Sequence, residues 1–270
     1  MNERALRFGP DGSLVGILTA PTEPAPGVQR AVLMSNIGMH HRVGPFRIYV
    51  DLARALAAAG FHVLRFDMSG MGDSEQRHDV AGAAERSRAD LDDAMQLLAR
   101  ELGIVEFVLI GLCSGVDSTH STATHDARVR GAVFIDGYSY PTTGFLLRHY
   151  LVRPTQGERW MRYFQRRLRQ RPAVDDGTSV FVREYPSREQ FGRDIAQLTQ
   201  RGAHVMFVYS GGMYHRVNSP AQLFEMVGSN VVRDRVTVRT MYAADHVFTS
   251  VARRAELVSA ITEWVTALPR

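Results

Sequence analysis

The residue best suited to take part in a reaction is Cys113, the only cysteine of the chain. It lies in a G-x-C-x-G pattern at Gly111–Gly115, between an apolar run at 107–110 and a segment able to start a helix. A strand-to-helix turn of this kind pushes the central side chain out at the top of a sheet, beside the free amides of the helix start. This placement suits a nucleophile, here a thiol. The alternative is a small residue that fills a tight turn, because free cysteines are often core residues.

The segments around Cys113 alternate between predicted strands and helices. Apolar runs predict an N-terminal hairpin at 5–9 and 14–20, followed by strands at 31–36, 62–66, 107–110, 131–135, 205–209 and 236–241. Helical patterns predict helices at 49–59, 83–102, from the Cys113 turn to about 125, and at 187–201, 220–227 and 252–268. This alternation predicts an α/β fold, in which a mostly parallel twisted sheet carries helices on both faces.

One part of the chain interrupts the alternation. Residues 138–186 are rich in arginine and aromatic side chains, and we expect a helical lid insertion over the carboxyl edge of the sheet. Residues 1–137 and 187–270 would then form a single core. A chain of 270 residues is long enough for such a core and needs no second domain.

Composition and charge are typical of a soluble globular protein. Hydrophobic residues make up 45% of the chain and charged residues 22%, and the net charge is +4. A single cysteine excludes an internal disulfide framework. The N-terminus shows no apolar signal segment, and no run approaches the roughly 18 to 20 apolar residues of a membrane-spanning helix. We therefore expect a cytoplasmic protein.

Three motifs, in this order along the chain, resemble those of the α/β-hydrolase superfamily. Residues 67–74 read D-x-x-G-x-G-x-S, like the loop after the fourth strand in that superfamily. Gly111–Gly115 match its nucleophile elbow, and Ala244-Asp245-His246 lies between the last strand and the last helix, where it places its histidine. Within the superfamily, residues 36–38 and 41–45 resemble serine-aminopeptidase-like hydrolases, including ones found in biosynthetic gene clusters. The resemblance implies the α/β-hydrolase fold.

The resemblance also implies partners for Cys113. His246 would act as base and then as acid, because imidazole changes charge near neutral pH; the alternative is a helix-capping or surface histidine. Relatives usually carry the acid after the strand at 205–209, where this chain has no carboxylate. Some carry it one strand earlier, and Asp136 lies there; the alternative is an aspartate that caps a turn. A dyad of Cys113 and His246 without an acid also stays open.

Two backbone amides would form the oxyanion hole of such an enzyme. One belongs to Ser114, the residue after the nucleophile. The other comes from the loop after the strand at 31–36 and belongs to Ile37 or Gly38.

No metal or cofactor site is predicted. His40 and His41 are neighbours that cannot both face one ion from a regular element, and His120 and His125 lack a third partner in sequence. The Gly70–Gly72 stretch lacks the third glycine and the immediate helix start of a dinucleotide fingerprint.

Arginine is concentrated in the predicted insertion. The chain contains no lysine, and the stretch from Arg148 to Arg171 carries eight arginines opposed by Glu158 alone. Such a patch can attract phosphate or an acidic partner, so Arg148, Arg153 and Tyr138 are candidates for substrate binding. The alternative is a solvated pair of basic helices. We find no nucleic-acid-binding motif around the patch.

The resemblance implies acyl transfer through an acyl-Cys113 intermediate. Cysteine in place of the usual serine favours a thioester substrate, with the acyl group on coenzyme A or on an acyl carrier protein. One alternative is a small-ester or lactone hydrolase, similar to dienelactone hydrolases that also use Cys, His and Asp. Another is a non-catalytic binding protein on a hydrolase scaffold. The acceptor of the acyl group and the oligomeric state stay open.

Overall fold

The computed structural model of the protein describes residues 2–24, 27, 29–38, 40–151 and 185–269. Within them, eight strands form one sheet: β1 (Asn2–Phe8), β2 (Leu14–Ala20), β3 (Arg30–Met34), β4 (His62–Asp67), β5 (Glu106–Leu112), β6 (Val129–Ile135), β7 (His204–Ser210) and β8 (Val236–Met241). Their order across the sheet is β1-β2-β4-β3-β5-β6-β7-β8. β2 pairs antiparallel with both β1 and β4, and the remaining neighbours are parallel. The predicted fold class is confirmed.

Helices connect the strands and cover both faces of the sheet. The helices of the described residues are α1 (Ile48–Ala58), α2 (Ala83–Leu102), α3 (Gly115–His125), α4 (Thr143–Leu151), α5 (Arg188–Gln200), α6 (Ala221–Val227) and α7 (Val251–Thr266). None of the described helices combines the length and the apolar character needed to cross a lipid bilayer.

The core consists of two layers, one on each face of the sheet. Successive strand residues point to opposite faces, so Val32 and Val108 pack with α1 and α7, while Leu33 and Leu109 pack with α2, α3 and α5. All four side chains are essentially inaccessible to solvent. Burying each one contributes about 1.5–3 kcal/mol, and this two-sided packing fixes where each strand ends.

The first strand begins earlier than its apolar pattern predicts. β1 starts at Asn2 rather than at residue 5 and pairs along its whole length with β2. Its side chains from Asn2 to Ala5 are exposed, because an edge strand on the outside of the sheet is held by backbone hydrogen bonds and needs no apolar face there.

Both ends of the predicted insertion are held at one place on the core. The Tyr140 hydroxyl donates to the Pro186 carbonyl at 2.6 Å, and the rings of Tyr138 and Tyr185 meet edge to face with centroids 5.5 Å apart. Residues 152–184 of this segment, and with them Arg153, lie outside the described residues. Tyr140 and Pro186 therefore lie side by side on the core.

Candidate active site

Cys113 lies on a sharp turn between β5 and α3. Its backbone has a φ of 55°, a left-handed conformation that costs a residue with a side chain about 1–2 kcal/mol. A methyl group on Gly111 would lie 2.3 Å from the Gly115 carbonyl oxygen, and one on Gly115 would lie 2.8 Å from that of Asn36. The two glycines are therefore required by the close approach of backbone on either side. The turn presents the half-exposed thiol at the carboxyl edge of the sheet.

His246 and Asp136 meet at the same edge. The His246 Nδ1 atom lies 2.9 Å from Asp136 Oδ2, although the two residues are 110 positions apart in sequence. Asp136 follows β6 and is buried, whereas the His246 side chain, on the loop between β8 and α7, is 40% exposed. The predicted Cys113, His246 and Asp136 are thus brought together, with the exposed histidine between a buried carboxylate and the thiol.

The electrostatics of this group favour a charged imidazole. The hydrogen bond to Asp136, followed by the hydrogen bond with the Cys113 side chain, raises the pKa of His246 to about 10 against the opposing effect of burial. The ring is therefore protonated at neutral pH, and its Nδ1 donates to Asp136. A positive imidazolium beside a thiol favours the thiolate, which is the nucleophilic form of cysteine.

The place where relatives usually carry the acid is occupied by Ser210, the last residue of β7. Its backbone amide donates to Asp136 Oδ1 at 2.7 Å, and its hydroxyl donates to Asp136 Oδ2. Ser210 is fully buried; its hydroxyl shares Asp136 Oδ2 with His246, and its amide holds the other carboxylate oxygen. Sequence reasoning missed this residue, although a hydroxyl at a position that usually carries a carboxylate was a visible signal.

The glycines after Ser210 explain why no acid follows β7. A methyl group on Gly212 would lie 2.9 Å from the His246 Cβ, and one on Gly211 would lie 2.3 Å from the Tyr242 carbonyl oxygen. The loop that carries His246 therefore packs directly on this backbone and leaves no room for side chains. Asp136 supplies the carboxylate from the neighbouring strand instead.

We expect Ser210→Ala to lower the free energy of unfolding by about 1–3 kcal/mol, because a buried, charge-assisted hydrogen bond is lost. Turnover should fall by roughly tenfold as Asp136 loses its fixed orientation. Urea unfolding and steady-state rates measure the two effects. The matched control is Ser259→Ala, which removes an exposed hydroxyl on α7 that bonds only to Glu263. Equal losses in both variants would contradict a positioning role for Ser210.

Of the two loop amides predicted for the oxyanion hole, the one of Gly38 faces the Cys113 turn. It donates to the Ser114 hydroxyl oxygen at 2.6 Å. Ile37 forms a bridge with His40 in which the Ile37 carbonyl accepts from the His40 amide at 2.8 Å, a bond that does not involve the Ile37 amide. Ser114 also starts α3, so its own backbone amide belongs to the exposed N-terminus of that helix. The arrangement favours Gly38 and Ser114 as the pair.

A buried aspartate holds the loop of Gly38 in place. Asp67, at the end of β4, accepts hydrogen bonds from Asn36 Nδ2 at 2.9 Å, from the Arg42 amide at 2.6 Å and from the Asp73 amide at 3.1 Å. A methyl group on Gly72 would lie 2.3 Å from Asp67 Oδ2. This explains the D-x-x-G-x-G-x-S pattern, in which the aspartate ties two loops together and the glycine makes room for it.

Asp67 also belongs to a cluster with His41 and Asp73 whose side chains could together ligate a cation. The Arg42 guanidinium already lies among them, at 2.7 Å from His41 Nε2 and 2.8 Å from Asp73 Oδ2, and it contacts Asp67. This internal cation supplies the positive charge that the carboxylates require.

The described candidates for substrate binding are already engaged. Arg148 on α4 bonds to Glu225 Oε1 at 2.9 Å and to Asn218 Oδ1 at 3.1 Å, so its charge is largely balanced within the protein. Tyr138 is only 4% exposed and packs edge to face on His120 and Phe191. This burial places the Tyr138 ring in the core rather than on a binding surface. The reason is its position directly after the Asp136 turn, where the chain passes over α3.

A sheet in this strand order, with a positive-φ residue after β5 and a histidine after β8, defines the α/β-hydrolase fold. The sequence profile described as the alpha/beta hydrolase family matches residues 38–267, and the chain belongs to this family. The narrower resemblance to serine-aminopeptidase-like enzymes stays a prediction. No match was found among curated proteins.

Solved structures are similar over nearly the whole chain. The esterase domain of a Rhodothermus marinus protein is 17% identical, with a TM-score of 0.60 and 98% of each chain covered. An esterase from Pyrococcus furiosus is 13% identical, with a TM-score of 0.64 and 99% of this chain and 92% of that chain covered. An alpha-beta serine hydrolase homologue from Coxiella burnetii is 15% identical, with a TM-score of 0.56 and coverages of 98% and 97%. At these identities the similarity shows the shared fold.

Proposed function

We propose that the protein is an acyl-transfer enzyme that acts through an acyl-Cys113 intermediate, with Cys113, His246 and Asp136 as its catalytic residues. The observation that supports this proposal is the contact of His246 with Asp136 at 2.9 Å. The Cys113 side chain also raises the pKa of the same imidazole ring. A thiol, a charged imidazole and a buried carboxylate in this order are the parts needed for nucleophilic catalysis by cysteine.

The first half-reaction transfers the acyl group to the thiol. The Cys113 thiolate attacks the carbonyl carbon, and a carbon–sulfur bond forms while the carbonyl electrons move onto oxygen. The oxyanion collapses, the bond to the leaving group breaks, and the second ring nitrogen of His246 gives its proton to the departing atom. Neutral His246 then accepts a proton from the acceptor, which attacks the acyl-enzyme and releases Cys113.

The nucleophile favours a thioester as the donor. Transfer from a thioester to Cys113 exchanges one thiolate for another, so the two sides of the reaction are similar in free energy. An alkoxide is a much stronger base than the thiolate of a thiol whose pKa is about 8.5, so the oxygen of an alkyl ester departs only with the proton of His246 and is the poorer leaving group. The donors that fit are acyl groups on coenzyme A or on the phosphopantetheine arm of an acyl carrier protein. Aryl esters and lactones that release an enolate are the next best donors.

The test is intact-protein mass spectrometry after mixing the protein with short acyl thioesters, an aryl ester and a lactone. We expect a mass increase of one acyl group, formed fastest from the thioesters. Cys113→Ala is the control and should stay unmodified. A clear preference for the lactone or the aryl ester would favour a small-ester or lactone hydrolase. No adduct and no turnover from any donor would contradict the proposed function.

A further inference from the structure

The hydroxyl of Ser114 occupies the place of a ligand in the proposed oxyanion hole. The Gly38 amide has one hydrogen, and that hydrogen points at Ser114 Oγ across 2.6 Å. The same amide is a proposed donor to the oxyanion of the substrate, and an N–H group makes one strong hydrogen bond at a time. Substrate oxygen must therefore replace the serine oxygen as the acceptor of the Gly38 amide.

A displaced hydroxyl is well placed to become a donor. Ser114 Oγ accepts the bond from Gly38, so its own hydrogen points elsewhere and is available for a new acceptor. Rotation about one side-chain bond moves the oxygen to a neighbouring staggered position, still beside the amide it has left. An arriving negative oxygen is a stronger acceptor than any neutral group, and hydrogen bonds to ionised partners are about twice as strong.

We infer that the Ser114 side chain is a third donor of the oxyanion hole, in addition to the backbone amides of Gly38 and Ser114. In the free protein the hydroxyl holds the Gly38 amide in its donating orientation. When the oxyanion forms, Gly38 donates to the substrate oxygen and the Ser114 hydroxyl donates to it as well. The inference rests on the proposed function, because it requires an acyl donor that forms an oxyanion at Cys113.

Two reactions of the same thiol separate this role from a structural one. Acylation of Cys113 passes through a negatively charged carbonyl oxygen and needs the oxyanion hole. Alkylation by iodoacetamide displaces iodide at a saturated carbon, forms no oxyanion, and reports only the reactivity and access of the thiol. The ratio of the two second-order rate constants therefore measures the contribution of the hole alone.

The experiment compares the wild type with Ser114→Ala, Ser114→Thr and Ser118→Ala. Ser118 lies one turn further along α3, and its hydroxyl bonds to Ser35 and to the Gly115 carbonyl. We expect Ser114→Ala to slow acylation by about 100-fold, the lower end of the effect of losing one oxyanion donor, and to leave alkylation unchanged. Ser114→Thr, which keeps the hydroxyl, should restore most of the acylation rate, and Ser118→Ala should leave both reactions unchanged.

Three other results for Ser114→Ala would contradict the inference, and each has a different meaning. Equal acylation rates of Ser114→Ala and the wild type would show that the hydroxyl has no part in acylation. Faster acylation of the variant would show that the hydroxyl hinders it. Slowing of both reactions would indicate that the hydroxyl only shapes the turn of Cys113. In all three cases the wild type is still acylated, so the proposed function survives. A wild type that no donor acylates would overturn both.

Discussion

Cys113→Ala is expected to reduce acyl transfer to the background rate, a loss of about 10⁴- to 10⁶-fold. The reason is that no other thiol exists in the chain to take over the covalent step. The variant should fold normally, because alanine is smaller than cysteine and the side chain at this position is only half-buried. Steady-state turnover of the preferred thioester measures the loss, and thermal unfolding verifies the fold.

Cys113→Ser makes the same test more specific. Its hydroxyl sits on the same left-handed turn as the thiol, with the same histidine beside it. A serine hydroxyl, however, must lose its proton to a base during attack. The imidazolium of His246 is already protonated on both ring nitrogens and cannot accept that proton. Because the Cys113 side chain is the second cause of the raised pKa of His246, that pKa should lie below about 10 in this variant, and activity should rise with pH as the ring loses its proton. We expect the variant to be slower than the wild type at neutral pH. Full activity of Cys113→Ala would exclude Cys113 as the nucleophile.

Asp136→Asn should lower acyl transfer by up to about 10⁴-fold, the loss that the same change causes in a serine triad. The hydrogen bond with Asp136 is the largest cause of the raised pKa of His246, so the neutral amide should return that pKa toward its ordinary value near 6.5. Only the contribution of Cys113 then still raises the pKa of His246, so less of the imidazole is charged at neutral pH and the thiolate loses part of the cation beside it.

The rate of iodoacetamide alkylation against pH tests this change directly. In the wild type the rate should stay high well below neutral pH, because the imidazolium supports the thiolate. In Asp136→Asn the pH at which the alkylation rate reaches half its maximum should move toward about 8.5, the pKa of an ordinary thiol. The matched control is Asp245→Asn, since Asp245 is exposed and bonds only to the amides of its own loop, those of Val247 and Thr249. Identical profiles for all three proteins would exclude Asp136 as the partner of His246.

The same residue should change how stability depends on pH. The pKa of His246 is higher in the folded protein than in the unfolded chain, so its proton stabilises the native state fully below about pH 6.5. That contribution is lost as the pH rises from 6.5 to about 10. In Asp136→Asn the decline over this window should be smaller, and melting temperatures at pH 6 and pH 9.5 measure the difference.

Sequence reasoning reached the fold because several periodic signals agreed. The alternation of apolar runs with helical segments predicted the parallel strands, and the observed ends of these core strands differ from the predicted ones by no more than two residues. β1 was the exception, since the pattern of an exposed edge strand carries little apolar signal. Asp136 was reached through the resemblance, because some α/β-hydrolases carry the acid one strand earlier, and Asp136 lies at that position.

The parts of the site that sequence reasoning missed depend on side-chain contacts across the sheet edge. The local sequence of Ser210 shows a hydroxyl where a carboxylate is usual, but it does not show that this hydroxyl meets Asp136, 74 positions earlier. The contact between Gly38 and Ser114 likewise joins two loops whose separation is set only by the order of β3 and β5 in the sheet. Predictions of this kind require the register of the strands, which periodicity alone does not provide.

The hydrogen bond between Tyr140 and Pro186 joins the two ends of the segment between them. It allows this segment to vary without a change in the structure of the core. Because one hydrogen bond joins its two ends, the core is complete on either side of it, and the entropic cost of closing a loop grows only slowly with its length. Segments of different length and composition can therefore join these two points. Cys113, His246 and Asp136 all lie outside the segment, so related chains can vary it while these three residues stay unchanged.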